Sequence, residues 1–131
     1  MSRLLKASGF LGLSVQMLWG MGNVVFLMGG SLPAFWGEWV GAHAHFGVLG
    51  ILAVVTGLAV EHYGTSGTRR SVVVYGYTLG QWLLPATLVA VAVSGLHQLG
   101  ILEFVWGICL LAAMAVMTLE AWDGAPDDSL V

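Results

Sequence analysis

The sequence predicts an all-α integral membrane protein, a four-helix bundle whose helices run up and down through the bilayer. Of its 131 residues, 58% are hydrophobic and 8% are charged, whereas ordinary soluble domains have about 25% charged residues. A chain this short leaves a large fraction of its surface exposed when it folds, so it cannot hide that much apolar surface from water. The hydropathy also shows four apolar stretches, each close to the length of about 20 residues that a helix needs to cross a membrane.

Each apolar stretch ends at a short polar or glycine-rich segment. The third stretch contains Pro85, which is expected to kink the helix. An aromatic segment, Phe35 to Trp39, precedes the second stretch and suits the membrane interface. Residues 1–122 are therefore expected to form one domain, followed by an acidic, disordered tail at 123–131. The membrane spans are predicted at about 9–28, 42–60, 72–96 and 102–122.

The distribution of charge predicts how the chain is oriented. The segments on the side of the termini hold every basic residue of the sequence, whereas the opposite connections hold only Glu38 and Glu103. By the positive-inside rule, both termini lie in the cytoplasm of a multi-pass protein of the cell membrane. Four basic residues are too few for a nucleic-acid-binding surface, so a nucleic-acid partner is not expected. The basic residues are Arg3, Lys6, Arg69 and Arg70.

Two histidines open the second span, and they are the first candidates for chemistry. A histidine within an apolar span is costly unless a partner, a metal or a water-filled cavity accommodates it. His43 and His45 are separated by about 200° around a helix, so they cannot face the same way. His43 shares its face with Gly47 and Gly50, which suggests a groove where a flat ligand such as haem could lie. This groove favours His43 over His45 as an axial ligand, although the choice between them stays open.

Other polar residues at a similar depth add candidates for the same site. His97 could be a second axial ligand, a partner of a haem propionate, or an interfacial residue. Asn23 on the first span could contact a cofactor. Asn23, Gln16 and Gln81 could equally be hydrogen-bonding residues between helices. A purely structural role for the histidine pair, as a hydrogen-bonded helix end, is the alternative to cofactor binding.

The residues around the first histidine resemble those of the styrene oxide isomerase family, small four-helix membrane proteins with a b-type haem at a subunit interface. The similarity lies in Trp39, in Ala42-His43 and in Gly50, and in the Gly29-Gly30 pair that ends the first span. The resemblance implies that His43 is the axial ligand of a haem b. It also implies a homo-oligomer, and by this resemblance a trimer.

The sequence departs from that family at positions connected with its catalysis. Leu49 stands where the family has an Asn in the ligand helix. On the third helix, Leu79 and Thr87 align loosely with the acidic and tyrosine side chains that open the epoxide. The resemblance therefore extends more readily to haem binding than to epoxide isomerisation.

A second resemblance is to small proteins related to the catalytic subunits of haem–copper oxidases. The stretch from His43 to Gly50 is similar to the second helix of those proteins, which begins His-Ala-His. In that comparison His45 is the better match to the low-spin haem ligand. The sequence lacks downstream copper-site histidines, which excludes oxygen reduction.

Together these observations predict a membrane protein that binds haem b. With an open coordination site, ferric haem could act as a Lewis acid on an epoxide, in an isomerase-like reaction on a small hydrophobic substrate. With a sixth ligand, the protein would be a small b-type cytochrome that exchanges electrons with a quinone or a partner. The remaining alternative is a membrane subunit without a cofactor.

Overall fold

The computed structural model describes residues 2–124 and confirms an all-α four-helix bundle. A 3₁₀ helix, His97–Gly100, leads directly into the last α-helix. The α-helices are α1 (Ser2–Met28), α2 (Trp36–His62), α3 (Gly67–Ser94) and α4 (Ile101–Asp123).

Several boundaries differ from those predicted from hydropathy. α1 begins at Ser2 rather than near residue 9, and α2 begins at Trp36 rather than near residue 42. Hydropathy detects the apolar part of a helix, whereas a helix continues through polar residues at the membrane surface. α3 ends earlier than predicted because Gly95 adopts a left-handed conformation (φ 67°) and its N–H donates to the Val91 carbonyl.

Two further sequence predictions concern Pro85 and the C-terminal tail. α3 continues through Pro85, which is buried within it, and the kink stays a prediction. Asp123, predicted as the start of the tail, is the last residue of α4, and Gly124 forms a turn. The remainder of the predicted tail, residues 125–131, lies outside the described part of the chain.

Contacts between neighbouring helices show that they run antiparallel, as predicted. Along the α1–α2 interface, Gly9 lies against Gly50, whereas Gly20 lies against His43. Along α3 and α4, Gly76 faces Cys109, whereas Gly80 faces Trp106. In both pairs the residue numbers rise on one helix and fall on the other. The same holds between α2 and α3, where Phe46 packs on Trp82 and Leu49 accepts from Tyr77, so the bundle has the up-down-up-down order expected of short connections.

Glycine allows the closest approach between α1 and α2. A Cβ placed on Gly9 would lie 2.6 Å from the carbonyl oxygen of Gly50 and 2.9 Å from the backbone nitrogen of Val54. These neighbours are backbone atoms, so they cannot move aside as a side chain can. Small residues at helix crossings are typical of membrane bundles, where close packing drives helix association.

A buried polar cluster connects α1 to α3. Gln81 is fully buried; its Nε2 donates to the Ser8 carbonyl (3.0 Å), and its Oε1 accepts from Ser8 Oγ (3.0 Å). Trp82 Nε1 donates to Ser8 Oγ (2.7 Å). Gln81 is therefore a hydrogen-bonding residue between helices, one of the roles that the sequence suggested for it.

Large apolar side chains remain exposed on all four helices. Examples are Phe10 (61% exposed), Val25 (70%), Ile51 (55%), Leu79 (47%) and Leu111 (68%). All four helices are long and apolar enough to cross a membrane. Exposing so much apolar surface to water would be unfavourable, so this is a multi-pass membrane protein whose exposed surface contacts lipid.

Ion pairs join helix ends on the side of the bundle where the basic residues lie. Lys6 of α1 contacts Glu61 of α2 (2.8 Å). Arg69 of α3 contacts Glu120 (2.9 Å) and Asp123 (3.7 Å) of α4. Each pair connects neighbouring antiparallel helices, so Lys6 and Arg69 contribute to the register of the bundle.

Candidate histidine site at the start of the second helix

His43 faces α1, into the interior of the bundle. Its Nε2 lies 3.0 Å from the backbone carbonyl oxygen of Gln16. Since a carbonyl oxygen can only accept, Nε2 carries the hydrogen and donates it. The approach is possible because residue 20 is glycine: a Cβ there would lie 3.2 Å from His43 Nε2.

The glycine face beside His43 is filled by α1, so the expectation of an open groove is corrected. A Cβ on Gly47 would lie 3.0 Å from Gln16 Cδ, and one on Gly50 would lie 3.0 Å from the Gly9 carbonyl oxygen. Two glycines one turn apart on the same helix face can accommodate either a flat ligand or a neighbouring helix. Here they accommodate a helix, and no space for a macrocycle remains between His43 and α1.

Aromatic side chains surround His43 on the side of the helix start. The Trp19 ring lies 4.5 Å from that of Trp39 and 6.3 Å from that of His43. Trp39 Nε1 donates to Asn23 Oδ1 (2.9 Å), so Trp39 joins α2 to α1. Asn23 thus has a hydrogen-bond partner within the bundle. Trp19 Nε1 is buried and has no partner among residues 2–124.

His45 points away from the bundle, which confirms that the two histidines face different ways. Its side chain is exposed, and its Nδ1 donates to the carbonyl oxygen of Gly41, one turn earlier (2.8 Å). This hydrogen bond fixes the ring and leaves Nε2 directed outward with a lone pair. Ala44 and Val48 line a shallow depression of about 150 Å³ beside the imidazole.

The position of His45 along α2 sets its expected depth in a membrane. The 27 residues of α2 give a length of about 40 Å at about 1.5 Å per residue, whereas the hydrocarbon core is about 30 Å thick. If the helix is centred in the membrane, the ninth residue after Trp36 lies about 8 Å below the surface of that core. An exposed imidazole at this depth needs a partner that the monomer does not supply.

His97 lies at a different place from the other two histidines on its side of the bundle. It is exposed in the 3₁₀ helix and lines a cleft with Glu38 and Glu103, and neither His43 nor His45 lines that cleft. The arrangement supports neither axial ligation opposite His43 nor a propionate contact beside it.

Residues 1–129 match the family model described as a domain of unknown function, DUF8059. The chain belongs to this family. No curated protein and no solved structure matches the chain.

Within the described range, 2–124, no group of three or more His, Cys, Asp or Glu side chains could hold a metal ion. Haem iron needs only one or two protein ligands, so each histidine has to be judged singly. Each histidine has one ring nitrogen bonded to a backbone carbonyl, Nε2 in His43 and Nδ1 in His45. They differ in access, because His43 is half-buried against α1 whereas His45 is exposed. His45 therefore fits an axial ligand better than His43 does.

The third helix places no acid or base beside His45. Leu79 is exposed, and Thr87 is buried, with its hydroxyl donating to the Leu83 carbonyl and accepting from Trp106 Nε1. The Tyr77 hydroxyl donates to the Leu49 carbonyl inside the bundle. The helper residues expected of an epoxide isomerase are thus absent from the depression around His45 in the described structure.

The sequence did not predict that the Gln16 carbonyl accepts a hydrogen bond from His43, because a backbone carbonyl leaves no signature in the residue types. Gly20 was the available signal. It is the position on α1 where a side chain would collide with the imidazole.

Proposed function

We propose that this membrane protein binds a b-type haem through His45, on the lipid-facing side of α2. The observation that supports this most directly is the geometry of the imidazole. Its Nδ1 hydrogen is held by the Gly41 carbonyl, and the exposed side chain leaves Nε2 open to a ligand. A ligating histidine commonly donates its other ring hydrogen to a carbonyl in this way, which sets the tautomer and the ring orientation.

The surroundings of His45 suit a group shared between subunits. Ala44 and Val48 form a shallow, apolar depression, too small to enclose a macrocycle within one chain. A second copy packed on this face of α2 would cover the other side of the group and remove the imidazole from lipid. The proposal therefore includes a homo-oligomer with the cofactor at its interface, and it leaves the number of subunits to measurement.

A bound haem supplies one-electron chemistry, or Lewis acidity where its sixth position is open. The residues near His45 position the group and exclude water, and none of them is suited to move a proton. This favours electron transfer over epoxide isomerisation as the activity of the site. A quinone or a redox partner is then the expected electron donor or acceptor.

The test is an absorption spectrum of the purified protein, oxidised and reduced, from cells supplied with haem precursor. Wild type is compared with His45→Ala, His43→Ala and His62→Ala; the last changes an exposed histidine at the opposite end of α2 and is the matched control. We expect the Soret band to disappear only in His45→Ala and to return when free imidazole is added, since imidazole can occupy the space that the side chain leaves.

Two results would contradict the proposal. Wild type without a Soret band, despite ample haem, would indicate a membrane subunit without a cofactor. A band lost in His43→Ala and kept in His45→Ala would mean that α1 separates from α2 to admit the group. Addition of azide then distinguishes the activities, because it shifts the spectrum of an open site and leaves a six-coordinate electron-transfer site unchanged.

A further inference from the structure

A cleft of about 470 Å³ lies at the end of the bundle opposite the basic residues. It is bounded by the start of α2, the end of α3, and the 3₁₀ helix with the start of α4. We call it the acidic cleft, and its volume is in the range of small-molecule sites. Its lining residues are Ala34, Phe35, Glu38, Leu88, Val91, Ala92, Gly95, His97 and Glu103.

The carboxylates of the acidic cleft have no cationic partner in the described residues 2–124. Every other acidic side chain in that range forms an ion pair with Lys6 or Arg69, whereas neither Glu38 nor Glu103 has a basic group within 4.0 Å. All four basic residues of the sequence are on the other side of the bundle. Two like charges at one cleft with apolar walls concentrate a negative potential there, which attracts a cation.

Apart from His97, which also lines the cleft, the rest of the lining is apolar. The apolar side chains offer no ligand to a hydrated metal ion; they belong to Phe35, Leu88 and Val91. The aromatic ring of Phe35 also favours an organic cation. Ala34, Ala92 and Gly95 leave the space that forms the cleft. The chemistry that matches both features is a positively charged centre attached to an apolar body.

We propose that the acidic cleft binds a small amphipathic organic cation, such as a lipophilic amine or a quaternary onium ion. Glu38 and Glu103 provide the charge, and the walls from α2 and α3 cover the apolar body. This site is separate from His45 and does not depend on haem binding.

The probe is tetraphenylphosphonium, measured by equilibrium dialysis against the full chain in nanodiscs of zwitterionic lipid, with empty nanodiscs as the blank. Tetraphenylborate has nearly the same shape and the opposite charge. We expect saturable binding of the cation and none of the anion above the blank. In the double variant Glu38→Gln, Glu103→Gln, affinity should fall by about tenfold or more, because charge-assisted contacts are lost.

The matched control is Glu61→Gln, Glu120→Gln, which makes the same change in net charge at the other end of the bundle. It should bind within about twofold of wild type, far less than the tenfold loss expected of a direct contact. Ala92→Trp, with both carboxylates intact, should abolish binding because the indole fills the cleft. Gel filtration and circular dichroism establish that each variant is folded.

The proposal is overturned if both onium and borate ions bind equally, since that indicates partition into lipid. It is also overturned if the Glu38/Glu103 variant binds as wild type does, or if Ala92→Trp leaves binding unchanged. A loss of the haem spectrum in the His45 variant with retained onium binding would show that the two proposed sites are independent.

Discussion

Two glycines of α1, Gly9 and Gly22, have very different surroundings. Gly9 faces backbone atoms of α2, 2.6 Å from the place where its Cβ would stand, whereas Gly22 is exposed and has nothing within 4 Å of that place. The first glycine is required by a helix crossing. The second contributes no packing, so an added methyl group there would meet only lipid.

These positions form a matched pair for mutation. We expect Gly9→Ala to lower the free energy of unfolding by about 1–3 kcal/mol, the usual cost of overpacking a rigid site. Gly22→Ala should stay within about 1 kcal/mol of wild type, with a gain expected from helix propensity. The measurement is the midpoint of unfolding in mixed micelles of increasing SDS content. Equal effects at both positions would contradict the close α1–α2 packing.

The buried amide of Gln81 connects two helices that are not neighbours in sequence. It exchanges two hydrogen bonds with Ser8, one with the hydroxyl and one with the backbone carbonyl. In the apolar interior, the loss of this side chain leaves the Ser8 groups with fewer partners.

Gln81→Leu should therefore destabilise the bundle by about 1–2 kcal/mol, the range for hydrogen bonds between membrane helices. Gln98→Leu is the control, since Gln98 is exposed in the 3₁₀ helix and makes no side-chain hydrogen bond in the described structure. The same SDS titration measures both. A Gln81→Leu variant as stable as wild type would show that Ser8 finds other partners.

At the scale of elements, the pairing of α3 with α4 also depends on glycine, but here a side chain is the obstacle. A Cβ on Gly80 would collide with Leu110 of α4 and would lie 3.0 Å from the Trp106 carbonyl oxygen. A leucine can be shortened, whereas a backbone carbonyl cannot, so this contact allows a compensating change.

Gly80→Ala should destabilise the α3–α4 pair, and adding Leu110→Ala should recover part of the loss. The double variant would then be more stable than the sum of the single effects, by about 0.5–3 kcal/mol, as is typical of residues in contact. Gly107→Ala, on α4 with open space around it, is the neutral control. Strict additivity would indicate that the helices move apart rather than clash.

For the whole molecule, the two ends of the bundle differ in charge. The ion pairs and all basic residues are at one end, and the acidic cleft is at the other. The positive-inside rule places the basic end in the cytoplasm, and this orientation stays a prediction.

Labelling of introduced cysteines can test the orientation. In a Cys109→Ala background, which removes the cysteine of the sequence, Leu96→Cys should react with a membrane-impermeant maleimide in intact cells. Ser66→Cys, exposed at the other end, should react only after the membrane is opened. The reverse pattern would invert the topology and place the acidic cleft on the cytoplasmic side.

The sequence by itself determined the four helices, their antiparallel order and the opposite directions of His43 and His45. These follow from hydropathy, short connections and the angle of about 100° per residue in a helix. Tertiary structure decided which histidine is the more accessible, because a glycine face accepts a helix or a flat ligand equally well. Only the crossing of α1 and α2 shows that a helix occupies it. The acidic cleft is likewise a property of the assembled bundle, since its lining comes from segments that meet only when the helices pack.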